Sequence, residues 1–327
     1  MILILTHNGD STADMVITRL QSLGADFIRF NTEEFPQKSF LELRMSGSDI
    51  RGKIAINESA IDINSINSIW NRRPHKPKID PRITNQAIRD WAAEESDQAL
   101  KILWSLLSER FWMNSLEVNA LLDSNKWLQM RGAVEVGLRI PDSLITNISS
   151  DALAFCEEQN KTVALKAIKQ EVIRYADKRT TMIMTKRLGE AEITWDNFRG
   201  VALTPSFLQQ YVEKEKELRI TVVGKKIFCC DINSQQTSGT KEDWRAHIIT
   251  GKAPSLMPYD LPPSIERKCI ELLERLRLPF GCIDMIITPE GEYVFLEVNP
   301  NGQWAWVEQK TGLPISDGIA HFLIEHD

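Results

Sequence analysis

The chain has 327 residues, 43% of them hydrophobic and 26% charged, the make-up of an ordinary globular protein. That length suits about two domains of ~150 residues. A net charge of -6 argues against a nucleic-acid partner, since a surface that follows phosphates needs a basic excess. The apolar run Ile2 to Leu5 is shorter than the roughly 7–15 residues of a signal-peptide core, and no segment has the ~20 apolar residues of a membrane span. Cys156, Cys229, Cys230, Cys269 and Cys282 contain no CxxC pair and read as buried thiols in a reducing compartment. The expected location is the cytoplasm, with no membrane partner.

In chain order, residues 2–5 read as a buried strand, the polar THNGDST as a turn, and residues 13–23 as a helix ended by Gly24. Phe27 to Phe30 gives a second strand, completing a βαβ opening. A hairpin-like region follows, and Ser68, Ile69 and Trp70 lead into the basic run NRRPHKPK. From Asn85 to about Leu107 the spacing of Ile88, Trp91, Ala92, Leu100, Leu103, Trp104 and Leu107 predicts a long helix, with a domain boundary near residue 115. A second helix is expected from Ser124, with Trp127, Leu128 and Val134 on one side and Gly137 beyond its end. Strands are expected at 162–168, 181–186, 218–223, 226–232, 280–287 and 292–299, and helices at 264–277 and 315–325. Mixed strands and helices without repeats make the chain α/β or α+β.

The richest chemistry lies in FGCIDMIITPEGEYVFLEVN, residues 280–299. Pro289 and Gly291 fit a type I turn. A loop of two or four residues would set Asp284 opposite Phe295 and diagonal to Glu297, with Phe295, Glu297 and Asn299 on one face. A three-residue loop would break that register. Val294, Leu296 and Val298 would then face the core. An Asp, a Glu and an Asn amide oxygen on one face suit a hard divalent cation such as Mg²⁺, and two carboxylates this close repel without a cation between them. A solvated edge strand is the alternative.

Lys166 is a lone cation in an apolar strand, which wants an anion nearby unless it snorkels at an edge. Lys126 lies within two residues of the expected N-cap, where a cation opposes the helix dipole and a bound phosphate would reverse that, or it is merely solvated. Glu217, Arg219 and Thr221 alternate with Leu218, Ile220 and Val222, either as a working polar face or as a surface strand.

FGCIDMIITPEGEYVFLEVNPNGQW resembles the carboxy-terminal signature of ATP-grasp ligases, and NPNGQW with TGLPI (311–315) is similar to the microviridin-type peptide maturases, or graspetide synthetases. The resemblance runs through most of the chain, including THNGD and WNRRP. It implies an ATP-grasp fold with an N-terminal βαβ pre-ATP-grasp domain (1–115), a central subdomain (116–195) and a C-terminal subdomain with the metal site (196–327). It implies ATP and Mg²⁺ as cofactors, with Asp284, Glu297 and Asn299 as metal ligands. Lys126 and Lys166 would meet phosphate. Gln209, Gln210, Tyr211 and Val212 would form the adenine hinge, where Gln210 departs from the family's usual Glu. Glu217 would accept a ribose hydroxyl, and Arg219, with Lys166 a catalytic candidate, would steady the transferred phosphate, a task suited to its fork of donors. The connection KQEVIRYADKRT lacks the family's usual glycines; its Lys169, Arg174, Lys178 and Arg179 could cover phosphate by charge instead.

The implied reaction is phosphoryl transfer from ATP to a carboxylate, followed by attack of an amine or hydroxyl on the acyl-phosphate. The subgroup's substrate is a ribosomal precursor peptide, leader plus core, whose Asp or Glu side chains are joined to Ser/Thr hydroxyls or Lys amines as ω-esters or ω-amides. Arg72, Arg73 and Arg245 are candidates for the core carboxylates. Glu190 and Glu192, with Asp196, are candidates for a basic leader residue, or a plain solvated turn. Trp304 and Trp306 are candidates for packing alone. The family also allows a homodimer. Two other functions compete: a ligase adding glutamate or building a small peptide, and a non-catalytic nucleotide- or peptide-binding module.

Overall fold

In the computed structural model, which describes residues 1–56, 59–123, 125–169, 172–177, 179–237, 239–246 and 251–327, Ile2–Thr6 is buried along its whole length. It pairs in parallel with Phe27–Asn31 on one side and Ser68–Asn71 on the other, and Phe111–Met113 adds a fourth parallel strand. A strand buried on both faces reads as a continuous apolar run, which is why ILIL is legible. The helix after it, Ser11–Ser22, starts two residues earlier than expected because Asp10 caps it, accepting from Thr12 N and Ala13 N. The hairpin-like region is a meander of Ser39–Ser46, Asp49–Ile56 and Ser59–Asp62. The long helix is Gln86–Leu106, capped by Asn85. Its core face is Leu100, Leu103 and Trp104, while Ile88 and Trp91 of the apolar spacing are 51% and 62% exposed.

The central sheet runs Lys186–Leu188, Val163–Lys166, Ser206–Gln210, Ser143–Thr146, all antiparallel. The strand expected at 181–186 is divided. Thr180–Met182 pairs with Val172–Arg174 as a separate ribbon, so the glycine-free connection folds as its own hairpin. Lys169, Arg174 and Arg179 are exposed on it, and Lys178 lies outside the described residues. The helix expected from Ser124, itself outside the described residues, is Lys126–Glu135 with Asn125 as its cap. Its packed face is Gln129, Met130, Gly132 and Ala133, whereas Trp127 and Val134 are exposed. The face follows from Gly132: a Cβ there would meet Leu272 and Leu276 at 3.2 and 3.3 Å, so this side lies flush on the helix Pro263–Arg275.

The third sheet orders Leu256–Pro258, Lys226–Ile232, Lys216–Val223, Phe280–Ile287 and Tyr293–Asn299 antiparallel. One apolar cluster under it gathers Leu218, Ile220, Val222, Ile283 and Phe295 with Leu272 and Leu273. A second joins Val223, Phe280 and Ile319 to Ile2, Ile4, Val16 and Trp70, so the amino-terminal sheet and the carboxy-terminal sheet share a core. The five cysteines are buried and free. Among the described residues no helix is long and apolar enough to cross a membrane.

Candidate active site

The hairpin at 280–299 reaches its geometry by a different register from the one expected. Gly291 N donates to Thr288 O at 2.9 Å and Thr288 N to Glu292 O at 3.0 Å, closing a loop of residues 289–291. Gly291 takes φ +83°, the left-handed position of such three-residue loops, where a side chain would strain. Met285 therefore faces Phe295, and the register shifts again between Asp284 and Met285. That β-bulge sets Asp284 directly opposite Glu297. The two one-residue displacements add to two, a full side-chain period, so the carboxylates share a face although the assumed loop length is wrong. The neighbours are reassigned: Phe295 is fully buried in the core, and Leu296, expected there, lines a cleft with Glu297 and Asn299. Val294 and Val298 are core residues as expected.

The cleft, about 410 Å³, lies between this hairpin and the central sheet. Lys126, Lys166, Gln209, Gln210, Tyr211, Val212, Glu217, Arg219, Arg245, Asp284, Glu297 and Asn299 all line it. The strand Lys216–Val223 is no surface strand: Glu217, Arg219 and Thr221 are 8%, 6% and 0% exposed. Arg219 Nη1 donates to both Asp284 oxygens at 2.8 and 2.9 Å, and Nη2 to Gln303 O at 3.2 Å. Lys126 Nζ meets Glu297 Oε2 at 2.9 Å. Lys214 pairs with Glu217 Oε1, while Glu217 Oε2 is buried without a hydrogen-bond partner. Lys166 forms no ion pair of its own among the described residues. At the hinge, Gln210 N donates to Asp142 O at 2.8 Å and the ladder then ends, leaving 211–212 as free-standing backbone at the cleft wall.

Charge and burial pull the ionisable groups apart. Burial pushes the Asp284 carboxyl above its usual range, against the pull of Arg219. Burial acts the same way on Glu297, but Lys126 and Lys166 together outweigh it and hold that carboxyl below its usual range. Burial, helped by Lys126 and Lys214 and opposed by Glu297, brings the Lys166 ammonium down to about 8. Burial also raises Glu217.

Arg72, Arg73, Glu190 and Glu192 do not line the cleft. Arg72 is 1% exposed, with Nε 3.4 Å from Asp10, Nη2 donating to Gln303 Oε1 at 2.8 Å and Nη1 to Asn301 O at 3.4 Å. Gln303 thus accepts from Arg72 through its side chain and from Arg219 through its carbonyl. Arg73 is exposed. Glu190 is paired with Lys161 at 3.0 Å and Glu192 with Lys186 at 2.6 Å.

Several supporting residues escaped the sequence reading. Gln129 accepts from Val298 N at 3.0 Å and donates to Leu122 O at 2.7 Å, occupying the outer edge of the bulged strand. Asn114 donates to Phe280 O and Pro300 O at 2.9 and 2.8 Å and accepts from Phe280 N at 3.0 Å. A Cβ on Gly302 would lie 2.3 Å from Cys282 Cβ and 2.8 Å from Arg219 Nη2, so the glycine of NPNGQW is required for close approach. Trp306 stacks on Trp244 with ring centroids 4.8 Å apart and lines the cleft, whereas Trp304 is fully buried. Gly302 and Trp304 announced themselves in the sequence as part of a motif, and Trp306, read there as packing alone, also lines the cleft.

A cleft with an unpaired lysine, an orphaned buried carboxylate oxygen and facing oxygen donors on Asp284, Glu297 and Asn299 suits a nucleotide and a hard dication. This fold and cleft define an ATP-grasp ligase. The profile of the MvdD pre-ATP grasp domain matches residues 1–120, and that of the RimK-like ATP-grasp domain matches residues 123–323. Among solved structures, the macrocyclase MdnC of Microcystis aeruginosa MRC, bound with precursor peptide MdnA, is similar at 28% identity and TM-score 0.84, with 100% of both chains covered. A Chryseobacterium gregarium RiPP-associated ATP-grasp ligase, in complex with ADP and a leader and core peptide, gives 29% identity and TM-score 0.88 over 100% of this chain and 97% of that one. The macrocyclase MdnB of Microcystis aeruginosa MRC gives 30% identity and TM-score 0.76 over 99% and 98%. A comparison with curated proteins gives no match. The chain belongs to the ATP-grasp ligases of the microviridin-type peptide maturase family, ATP-dependent enzymes with a RimK-like domain.

Proposed function

We propose that this ligase activates Asp or Glu side chains of a ribosomal precursor peptide as acyl-phosphates and joins them to Ser/Thr hydroxyls or Lys amines of the same peptide, closing macrocycles in the cytoplasm. The observation that carries the reading is the Arg219–Asp284/Lys126–Glu297 set facing Lys166 across one cleft. Residues 211–212 would meet the adenine edge with backbone groups, and Glu217 Oε2, now without a partner, would accept a ribose hydroxyl. Lys126 and Lys166 would hold the phosphates. Asp284, Glu297 and Asn299 would hold Mg²⁺, which when bound neutralises charge on the phosphates. Arg219, whose fork of donors points into the cleft beside Asp284, would steady the acyl-phosphate oxygens. Arg245, held by Asp243 at 2.8 Å, stands at the cleft wall beside the stacked Trp244 and Trp306, where an incoming carboxylate would meet it. Leader contacts at Glu190 and Glu192 and a core contact at Arg73 would lie outside this cleft. The 116–195 unit would take in Ser206–Gln210, which completes its sheet.

Phosphate release from ATP is the direct test. It is expected to rise when precursor peptide is added and to return to the basal rate when the peptide's Asp and Glu are replaced by Asn and Gln. Stimulation that survives those replacements would contradict activation of side-chain carboxylates.

Lys166 adds a pH signature. Burial lets it hold its proton only up to about pH 8, and bound phosphate favours the charged form. Below that pH the ammonium is already present, so binding takes up no proton there. Above it, binding must supply the proton, so nucleotide affinity falls as pH rises. Calorimetric titrations in buffers of differing ionisation enthalpy are expected to show proton uptake of roughly half an equivalent near pH 8. Uptake of zero from pH 7.5 to about 9 would place Lys166 away from phosphate.

A further inference from the structure

We propose that His7, Glu33 and His75 form a binding site for a transition-metal dication of the Zn²⁺ class, separate from the nucleotide cleft, that clasps three segments of the amino-terminal domain. One ligand atom from each residue lies within 4.8 Å of the other two. None of the three lines the cleft. Glu33 is only 6% exposed; its Oε1 accepts from Asn8 N at 2.8 Å, but Oε2 is buried with no hydrogen-bond partner. Among the described residues Glu33 has no lysine or arginine ion pair, so the imidazoles of His7 and His75 are the titratable groups grouped with this buried carboxylate.

The framework around the three side chains is pinned from the backbone. Arg29 Nη2 donates to His7 O at 2.7 Å, Thr32 Oγ1 to His75 O at 2.6 Å, and Lys78 N to Glu33 O at 3.1 Å. The imidazoles stack with centroids 4.0 Å apart and planes at 4°. Parallel planes keep the in-plane nitrogen lone pairs parallel, so both imidazoles reach one ion only when one ring turns. Imidazole nitrogens with a carboxylate oxygen match zinc and its first-row neighbours, not Mg²⁺, which prefers oxygen alone. His75 is exposed and can turn its ring edge toward Glu33. Gly9 N donates to His7 Nδ1 at 3.2 Å, so ligation through Nε2 would displace that long contact. The site joins the end of the first strand, the turn Thr32–Glu34, and the segment after Arg72, whose side chain braces Gln303 beside Arg219.

The experiment is Zn²⁺ titration by calorimetry, with a thermal melt, on the tag-free full chain saturated with Mg²⁺ and ADP. The expected result is about one equivalent of Zn²⁺ bound and a melting temperature higher by about 5 °C. His75→Ala and the isosteric Glu33→Gln should each lose affinity roughly 30-fold or more, together with the thermal shift. Asp284→Asn should keep both, which separates this site from the cleft even if the nucleotide reading fails. No tight equivalent in the wild-type chain would overturn the proposal and leave a histidinium–Glu33 pair as the explanation. Unchanged affinity in both His75→Ala and Glu33→Gln would overturn it too.

Discussion

Glu297→Gln is expected to lower peptide-dependent phosphate release roughly a thousand-fold while the protein remains folded. The side chain is partly exposed at 29% and its partner Lys126 at 20%, so Lys126 is left with access to water and little stability is lost. What disappears is one of two facing carboxylates in the oxygen set. Nucleotide binding separates this effect from misfolding. In the wild-type chain ADP should bind more tightly when Mg²⁺ is present, and in Glu297→Gln that enhancement should vanish while metal-free ADP binding stays within about threefold. An undiminished Mg²⁺ enhancement would remove Glu297 from the metal site.

Arg219→Ala should fail in both stability and activity. Arg219 is almost wholly buried and gives one nitrogen to both Asp284 oxygens, so its removal leaves a carboxylate in a confined site without its cation. Breaking a buried pair from one side costs about 3 kcal/mol, and chemical denaturation should show it. Arg219→Ala/Asp284→Asn should recover much of that loss, because no unpaired charge remains. Arg219→Lys keeps the charge but not the fork, and is expected to hold the fold while lowering kcat about a hundred-fold. If Arg219→Ala unfolds at the wild-type denaturant concentration, the pair with Asp284 carries no stability and its proposed role as a positioned charge weakens with it.

The sequence made the outline of this molecule legible wherever side-chain period and backbone agree. ILIL is apolar from end to end, and the strand containing Arg219 alternates polar and apolar residues from Glu217 to Val222. The misreadings fall where that period breaks. Nothing in the composition of FLEV marks a bulge, so Phe295 and Leu296 exchange faces, while the bulge and the three-residue turn at Gly291 together keep Asp284 beside Glu297. Trp127 and Val134 read as one apolar side of their helix, whereas Gly132 decides the packed face by its smallness. Arg72 reads as a candidate for the core peptide's carboxylates because sequence does not show Asp10, Asn301 and Gln303 closing over it. His7, Glu33 and His75 carry no spacing signal at all, since three distant segments bring them together.

The central claim is ring closure, and peptide mass tests it most directly. The chain would be incubated with ATP, Mg²⁺ and any precursor peptide encoded beside its gene, and the peptide weighed before and after. The account predicts loss of one water for each ring formed, and no change with Glu297→Gln. A peptide that gains the mass of an amino acid, or one that keeps its mass while its carboxylates stimulate phosphate release, would contradict it.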